Sequence, residues 1–402
     1  MAVGLASPGL LHPVKGITLA GTHCGIKKDN SILDLVLVGI DPGAAVSAVF
    51  TRNRFCAAPV SVAKHHMESD VPVRYLLINS GNANAGTGQL GYQHALDSCE
   101  ALAILDGREI EAVLPFSTGV IATELPVEKI ISSLPELHKN LSPDHWLEAA
   151  NGIMTTDTVA KAASVQVVID SKPVTITGIA KGSGMICPDM ATMLAFIATD
   201  AVIEQSELDR LLPKLMQGSF NAITVDGDTS TNDACVFIAT GQSGVSVTIN
   251  KAFHEALQSV CKTLAQAVIR DAEGATKFIE IKVQNAKSVD DARCVGYTVA
   301  HSPLVKTALF ASDPNWGRIL AAVGRAPIEN LDVDSINLWV GETQLLDHGL
   351  PAKSYTEDKG QIEMNKTEIV ITVDLGIGDD EASIWTSDLS YDYVKINAEY
   401  RS

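Results

Sequence analysis

The sequence has 402 residues, of which 46% are hydrophobic and 19% are charged. This length and composition indicate a globular chain with a large buried core and argue against a disordered chain. Thirty basic and 48 acidic residues give a net charge of −18, which argues against a surface that binds nucleic acid or anionic lipid.

Short strands and intervening helices are predicted along the first half of the chain. An Ala/Leu-rich helix is predicted over His94–Leu105. Ser164–Asp170 and Val174–Ile179 flank a Ser-Lys-Pro step and are predicted to form a hairpin. The other β-branched or leucine-rich runs predict the strands Leu33–Ile40, Ala44–Thr51 and Arg74–Asn79.

The second half begins with the clearest helix, Ala252–Arg270, in which apolar residues recur at spacings of three and four. A polar stretch, Gly341–Gly360, is predicted to be an exposed loop, and Tyr391–Ser402 is predicted to be a strand with an ordered tail. The remaining predicted strands are Phe278–Val283, Ile336–Val340 and Glu368–Leu375. This alternation indicates an α/β fold, without the glycine signatures of a Rossmann or P-loop site.

Signals for membranes, export and metals are weak. No apolar run approaches the ~20 residues of a membrane-spanning helix, and the first twenty residues do not resemble a signal peptide. The seven cysteines are dispersed without a C-x-x-C pair, so we expect reduced thiols and a cytoplasmic location. No histidine pair has metal-ligand spacing, so we expect no metal site and place His65 and His66 at the surface.

Two segments of the first half follow predicted strands and are rich in small polar residues. Asn79–Gly88 (NSGNANAGTG) is either a loop that faces a ligand or supports a catalytic residue, or an ordinary Asn/Gly turn. In Pro115–Ile121 (PFSTGVI), Thr118 offers a hydroxyl and Gly119 an unhindered N–H, which together can form an oxyanion hole. Taken alone, that second pattern favours a simple turn.

Further segments carry hydroxyl or charged groups suited to binding an amino acid. In MTTDT, Thr155 and Thr156 can bind a carboxylate or an amine, although a cap or turn is the simpler interpretation. Lys181, in KGSGM, can hold a substrate carboxylate. Glu273 stands at a helix end, where it is unfavourable to the dipole; it recognises an ammonium group or is simply solvated. TVDGDTSTND lacks EF-hand spacing and is predicted to be a supporting polar loop.

Taken in order, these segments resemble the ornithine acetyltransferase (glutamate N-acetyltransferase) family of arginine biosynthesis. The resemblance covers nearly the whole chain and rests on the motifs NSGNANA, MTTDT, KGSGMI-x-P-x-MATML, TVDGDTSTND, EGATKF, PNWGRILAAVGR and YDYVKINAEYR. It implies a layered α/β sandwich resembling N-terminal-nucleophile hydrolases, with a second, smaller α/β region toward the C-terminus. The structural domains are then expected at approximately 1–280 and 281–402.

The resemblance also implies self-cleavage between Ala191 and Thr192. The products are an alpha chain, 1–191, and a beta chain, 192–402, which stay associated and assemble as a heterotetramer of two alpha and two beta chains. The freed α-amine of Thr192, with an ordinary pKa of about 7.7–8.0, can then act as base for its own hydroxyl. Asp189 stands where the family motif commonly has Asn, which puts the rate of cleavage in doubt.

The activity so implied is ping-pong transfer of an acetyl group from N-acetylornithine to glutamate through acetyl-Thr192. Thr118 and Gly119 form the oxyanion hole by this resemblance. The amino-acid part of the substrate is bound by Thr155 or Thr156, Lys181, Thr192, Glu273, Asn397 and Ser402. No cofactor is expected; some members of the family use acetyl-CoA as a further acetyl donor, and no motif in this sequence decides between the two types.

Two other functions remain open from the sequence. A related N-terminal-nucleophile amidase or aminopeptidase would resolve the acyl-enzyme with water instead of glutamate. A non-catalytic binding protein would be neither cut nor acetylated, and the intact Ala191-Thr192 junction with the Thr118-Gly119 pair argues against it.

Overall fold

The computed structural model describes residues 2–187, 193–329 and 331–399. Its strands, in chain order, are β1 (Ile17–Thr22), β2 (Leu35–Ile40), β3 (Ala45–Phe50), β4 (Tyr75–Asn82), β5 (Val113–Val120), β6 (Lys161–Ile169), β7 (Lys172–Lys181), β8 (Leu194–Thr199), β9 (Ile223–Thr224), β10 (Ala234–Ala239), β11 (Phe278–Ala286), β12 (Asn337–Val340), β13 (Thr343–Asp347), β14 (Leu350–Pro351), β15 (Glu368–Asp374) and β16 (Asp380–Ser387).

Helices lie between these strands and after the last of them. In chain order they are α1 (Ala58–Met67), α2 (Gly88–Asp106), α3 (Val127–Lys139), α4 (Trp146–Gly152), α5 (Gln205–Gln217), α6 (Lys251–Arg270), α7 (Val289–Ala300), α8 (Pro303–Phe310), α9 (Trp316–Gly324), α10 (Glu357–Met364) and α11 (Tyr391–Ala398). Within the described residues the chain divides into a larger unit, Ala6–Asn221 with Thr229–Val268, and a smaller unit, Met1–Leu5 with Ala222–Asp228 and Ile269–Ser402.

The larger unit is a sandwich of two sheets, in the orders β1-β2-β4-β5 and β3-β10-β8-β7-β6. Alternate side chains of both sheets share one buried apolar core, in which Phe116 of β5 meets Phe196 of β8 edge to face with ring centroids 5.2 Å apart. Helices α1 to α3 pack on the outer face of the first sheet. Helix α6 packs on the second sheet at Gly178, where a Cβ would lie 3.0 Å from Leu264 Cδ1.

The order of the second sheet interleaves distant parts of the chain. Strands β8 and β10, which follow residue 192, lie side by side between β3 and β7, which precede it. β10 pairs antiparallel with β3 and parallel with β8, and β8 pairs antiparallel with β7. The complete sheet therefore needs strands from both parts of the chain, before and after residue 192.

The smaller unit is built on a mixed sheet in the order β14-β13-β12-β15-β11-β16-β9. Helix α7 packs on β11 and β16, where Gly296 allows close approach to Ile384. The fold class predicted from the sequence, a layered α/β sandwich with a smaller α/β region toward the C-terminus, is confirmed.

Three local predictions are wrong. Tyr391–Ala398 is a helix, because the Ser390 side chain caps it by accepting a hydrogen bond from the Tyr393 N–H. The predicted loop over 341–360 contains β13, β14 and the start of α10. His65 and His66 lie in helix α1; His65 is exposed as predicted, but His66 is buried with its Nδ1 2.7 Å from the carbonyl oxygen of Val113.

Candidate active site

The ends of the parallel strands β4 and β5 approach each other unusually closely. Gly119 has a φ of 133° and pairs with Gly81. A Cβ on Gly119 would lie 2.3 Å from the carbonyl carbon of Gly81, so a side chain cannot be accommodated there. Backbone packing therefore requires glycine at position 119, and the absence of a side chain also leaves its N–H unhindered.

The asparagines of the segment NSGNANA make buried hydrogen bonds, as the supporting-loop alternative predicts. Asn79, Asn82 and Asn84 are all buried at the end of β4 and beyond it. The Asn79 Oδ1 accepts a hydrogen bond from Ser117 Oγ at 2.6 Å, and the Asn82 amide donates to the carbonyl oxygens of Thr123 and Glu124. These amides hold the backbone on both sides of Thr118.

Lys181 and Thr118, two predicted site residues, are in direct contact. The Lys181 Nζ donates a hydrogen bond to Thr118 Oγ1 at 2.9 Å. Lys181 is the last residue of β7 and Thr118 lies near the end of β5, so the two sheets of the sandwich contribute one residue each. A cation and a hydroxyl are thus held together at the strand ends.

Asp157 joins the MTTDT segment to the residues after Lys181. Its Oδ2 accepts the Thr155 N–H at 3.0 Å, and its Oδ1 accepts the Gly182 N–H at 2.8 Å. The next pair along, Thr156 Oγ1 and Ser183 Oγ, is 2.6 Å apart. The predicted binding residues of these two segments therefore belong to one hydrogen-bonded assembly.

The carboxylate of Asp157 lies close to two lysine side chains, Lys161 and Lys181. Lys161 Nζ lies 2.6 Å from Asp157 Oδ1, and both side chains are fully buried. Burial alone would raise the pKa of Asp157, but the charges of Lys161 and Lys181 and the hydrogen bonds outweigh it and hold that pKa well below its usual range. Asp157 is therefore a permanent carboxylate at neutral pH.

A further lysine, Lys27, adjoins the same segments. Its Nζ donates to the carbonyl oxygens of Leu33 and Met154 at 2.9 and 2.8 Å, and its stem lies against the position of Gly81. Burial lowers the pKa of Lys27, and the positive charge of Lys181 lowers it further, whereas Asp34 and Asp157 act in the opposite direction. Lys27 thus adds a cation near Lys181, with Asp34 and Asp157 as neighbouring carboxylates, at the end of β4 and the MTTDT segment.

The TVDGDTSTND segment supports this site from a third direction. The Asn232 Nδ2 donates to the carbonyl oxygens of Ala83 and Ser117. The neighbouring Asp233 is buried, and burial raises its pKa well above the usual range. The supporting role predicted for this loop agrees with these contacts.

Glu273 and Asn397 meet in the smaller unit. The Asn397 Nδ2 donates to Glu273 Oε2 at 2.8 Å, and Glu273 is only 8% exposed. A Cβ on the adjacent Gly274 would lie 2.4 Å from the Tyr393 N, so α11 packs directly on this turn. Glu273 is therefore not the solvated residue that was the simpler alternative from the sequence.

Three predicted site residues, Ala191, Thr192 and Ser402, lie outside the described residues, as does Asp189. Within the described ranges, no three His, Cys, Asp or Glu side chains group as metal ligands do. Among those same residues, no helix is both long and apolar enough to span a bilayer.

The comparison with known proteins decides the family. The family model named ArgJ family matches residues 18–402. The chain belongs to the ArgJ family. It is 52% identical over 408 residues to the arginine biosynthesis bifunctional protein ArgJ of Pseudomonas syringae pv. tomato and 50% identical over 409 residues to that of Pseudomonas fluorescens, with each pair covered over 100% of both chains.

A crystal structure from the same family is also similar. The arginine biosynthesis bifunctional protein ArgJ from Bacillus halodurans is 38% identical, with a TM-score of 0.49, over 51% of this chain and 98% of that one. Family membership confirms the family predicted from the sequence and the predicted enzyme class, an acetyltransferase of arginine biosynthesis.

Sequence reasoning missed several residues of the site in this ArgJ family member. Asp157 and Asp233 stand inside motifs that were recognised, MTTDT and TVDGDTSTND, but neither was assigned a role. Ser183 likewise stands in a recognised motif, KGSGM, two residues after Lys181, and was assigned no role. Lys27 and Lys161 gave no usable signal, because a single lysine in a sequence does not reveal which buried carbonyl or carboxylate it meets.

Proposed function

We propose that the chain transfers acetyl from N-acetylornithine to glutamate through an acetyl ester on Thr192. The observation that supports this most directly is the contact between Lys181 and Thr118, within an assembly that also holds Thr155 and Thr156. A carboxylate-binding cation beside a candidate oxyanion donor suits the transfer of an acyl group between amino acids. Family membership points to the same chemistry.

In this mechanism the free α-amine of Thr192 takes the proton of its own hydroxyl as Oγ attacks the acetyl carbonyl carbon. The Thr118 hydroxyl and the Gly119 N–H donate to the oxyanion that develops on the carbonyl oxygen. Ornithine leaves, glutamate enters, and its amine nitrogen takes the acetyl group from Thr192. The hydroxyl of Thr192 recovers its proton and the enzyme is restored.

Both substrates carry an α-carboxylate, so one cationic site serves them in turn. We assign that carboxylate to Lys181, with the hydroxyls of Thr155 or Thr156 beside it. We assign amino-acid recognition also to Glu273, Asn397 and Ser402, of which Glu273 and Asn397 are already joined by a hydrogen bond. Glu273, as a buried carboxylate, is suited to an ammonium group.

Self-cleavage between Ala191 and Thr192 is part of the proposal. The interleaved sheet gives a physical reason for the fragments to stay together, because β10 pairs with β3 and β8 with β7 across the junction. The assembly of two such pairs into a heterotetramer is included as well, and its mass in solution tests it. The seven cysteines are all free thiols, which suits the cytoplasm.

The name "bifunctional" of the Pseudomonas relatives suggests a second activity. We infer that acetyl-CoA serves as a second acetyl donor to Thr192. An assay of glutamate acetylation with acetyl-CoA alone tests this, and an absence of product would restrict the chain to N-acetylornithine as donor.

The deciding experiment is the intact mass of the purified protein under denaturing conditions, beside the Thr192→Ala variant. We expect two fragments that meet at residues 191 and 192 for the unmodified chain and one whole chain for the variant. A whole chain in both cases would contradict the proposal. Release of acetyl from the enzyme by glutamate, and not by water alone, then separates the transferase from an N-terminal-nucleophile amidase.

A further inference from the structure

Helix α11 lies on the smaller unit without a buried apolar face. It has eight residues, Tyr391–Ala398, and in the described structure none of their side chains is buried. Tyr391 and Val394, one turn apart, are 83% and 61% exposed, although the Tyr391 ring still meets that of Phe310 edge to face. A helix this short is not stable in water by itself. Its position therefore depends heavily on hydrogen bonds to the rest of the smaller unit.

Two of these hydrogen bonds join α11 to the turn at Glu273. At the start of the helix, Ser390 Oγ donates to the carbonyl oxygen of Gly274 at 2.6 Å. Two turns further along, Asn397 Nδ2 donates to Glu273 Oε2 at 2.8 Å. Between these two contacts the helix backbone touches the turn, since a Cβ on Gly274 would lie 2.4 Å from the Tyr393 N. The position of the helix therefore determines where Asn397 stands relative to Glu273.

Tyr393 adds a hydrogen bond from α11 to the segment that follows β9. Its hydroxyl donates to Asp226 Oδ2 at 3.1 Å. Burial and the negative charges of Asp226 and Glu273 raise the pKa of Tyr393, so the hydroxyl keeps its proton and acts as the donor. Asp226 comes two residues after Thr224 of β9, which pairs with Thr386 of β16. The acceptor is thus tied to the sheet of the smaller unit, and Tyr393 attaches α11 to it.

Asn397 and Glu273 together offer a ligand hydrogen-bond acceptors. The Asn397 amide donates both to Glu273 Oε2 and to the carbonyl oxygen of Tyr393, the latter at 3.0 Å. Its two protons are therefore used within the protein, and the pair presents oxygen atoms to any ligand that meets it. Such oxygens suit an ammonium group, which donates three hydrogen bonds, and disfavour a carboxylate, which only accepts them.

The two substrates of the proposed reaction differ in the group that such a pair would meet. The α-amine of N-acetylornithine carries the acetyl group, so the ammonium group of this substrate is at the end of its side chain. The side chain of glutamate ends instead in a second carboxylate. A pair that presents acceptors therefore distinguishes the acetyl donor from the acetyl acceptor by charge.

We propose that Tyr393 is a positioning residue for the acetyl donor. By holding α11 on Asp226 it keeps Asn397 against Glu273, where the pair accepts the side-chain ammonium of N-acetylornithine. The inference deepens the proposed function and rests on it, since that function assigns amino-acid recognition to Glu273 and Asn397. Because Tyr393 acts through Asn397, its contribution belongs to the half-reaction with N-acetylornithine and not to the half-reaction with glutamate.

The Tyr393→Phe variant tests this role, because it removes the hydroxyl and keeps the ring. In a ping-pong reaction, kcat/KM for each substrate reports the half-reaction of that substrate, so the two effects are measured separately. We expect kcat/KM for N-acetylornithine to fall roughly 10-fold, as for loss of a hydrogen bond to a charged group, and kcat/KM for glutamate to stay unchanged. Tyr391→Phe, at a mostly exposed tyrosine of the same helix, is the matched control and should leave both values unchanged.

The outcomes separate this inference from the proposed function. An equal fall for both substrates would show that Tyr393 only supports the fold, and a fall for neither would show that it is not needed. Either result overturns the inference and leaves the proposed function intact. Unmodified protein that transfers no acetyl from N-acetylornithine to glutamate overturns both.

A second variant decides if Tyr393→Phe does not fold. Ser390→Ala breaks the hydrogen bond to Gly274 and so loosens the same helix at its start. It should lower kcat/KM for N-acetylornithine and leave that for glutamate unchanged. An equal loss for both substrates, or no loss for either, contradicts the inference.

Discussion

At the scale of single residues, Lys181 was predictable from the sequence and its surroundings were not. A cation followed by two glycines suggested a carboxylate site, and the structure gives that cation a hydroxyl partner, Thr118. The four-residue spacing of Asp157 and Lys161 resembles a helical ion pair, yet the segment is a turn entering β6, so no periodic signal marked it. Contacts that join residues far apart in the chain leave no trace in local patterns.

The Lys181→Met variant should bind both substrates more weakly. A hydrogen bond to a charged group contributes about 1.5–3 kcal/mol, so KM for N-acetylornithine and for glutamate should each rise roughly 10–100-fold. Steady-state kinetics with each substrate measures this. Lys172→Met, at the exposed start of the same strand, is the control and should leave both values unchanged. An unchanged KM for both substrates in Lys181→Met would remove Lys181 from the binding site.

The buried pair of Asp157 and Lys161 predicts a change of stability with pH. Because the pKa of Asp157 is lowered on folding, its contribution is complete above the ordinary aspartate pKa of about 3.9 and is lost as pH falls below that value. Asp157→Asn removes the carboxylate charge beside the buried Lys161 and should lower the free energy of unfolding by about 3–5 kcal/mol at pH 7.

Denaturant unfolding of both proteins at pH 7 and at pH 3 measures this effect. The gap between the two proteins should be smaller at pH 3 than at pH 7. Asp41→Asn, an exposed carboxylate in the same unit, controls for the lost charge. A gap that is equal at both pH values would show that the carboxylate charge of Asp157 is not what stabilises the fold.

At the scale of elements, a long periodic pattern of apolar residues predicts a helix well. For a short segment, a capping residue is the better guide. The predicted helix over Ala252–Arg270 differs from α6 by one residue, because its apolar positions recur over about four turns. The alternation of polar and aromatic residues over Tyr391–Ser402 predicts a strand, whereas Ser390 is an N-cap residue and favours the helix α11 that the structure has. Short segments are governed by such end contacts more than by pattern.

The close approach of β4 and β5 predicts a large effect of Gly119→Ala. The added Cβ collides with the Gly81 backbone, so we expect a loss of more than about 3 kcal/mol in the free energy of unfolding. Gly43→Ala is the matched control, since Gly43 also has positive φ but no neighbouring atom within 4 Å, and its cost should stay near 1–2 kcal/mol. Equal losses in thermal unfolding would mean that φ alone, and not the collision, makes glycine necessary.

At the scale of the whole molecule, the α/β class follows from alternating strands and helices, but the strand order does not. Nothing in the sequences of β8 and β10 shows that they enter between β3 and β7. That order arises from long-range pairing, which a local pattern cannot specify. It also determines how the predicted fragments are held, because Phe116 and Phe196 meet in one core from opposite sides of the junction.

The interleaved sheet predicts that the cut protein behaves as one body in native buffer. Fragments 1–191 and 192–402 should elute together at equal amounts from a sizing column, even after extensive dilution, because two strand pairings and a shared core join them. They should separate in concentrated urea. Fragments that part on dilution without denaturant would contradict this account of their association.

The same strand order determines how a chain cut at the proposed junction would recover from unfolding. A continuous chain regains the sheet by folding back on itself, with a closure cost that grows only slowly with loop length. Two separate pieces must first find each other, so recovery from heat or urea becomes a second-order reaction that slows with dilution and competes with aggregation. The proposed cleavage would therefore make refolding depend on protein concentration, so the lifetime of the cut enzyme would be set by how slowly it unfolds.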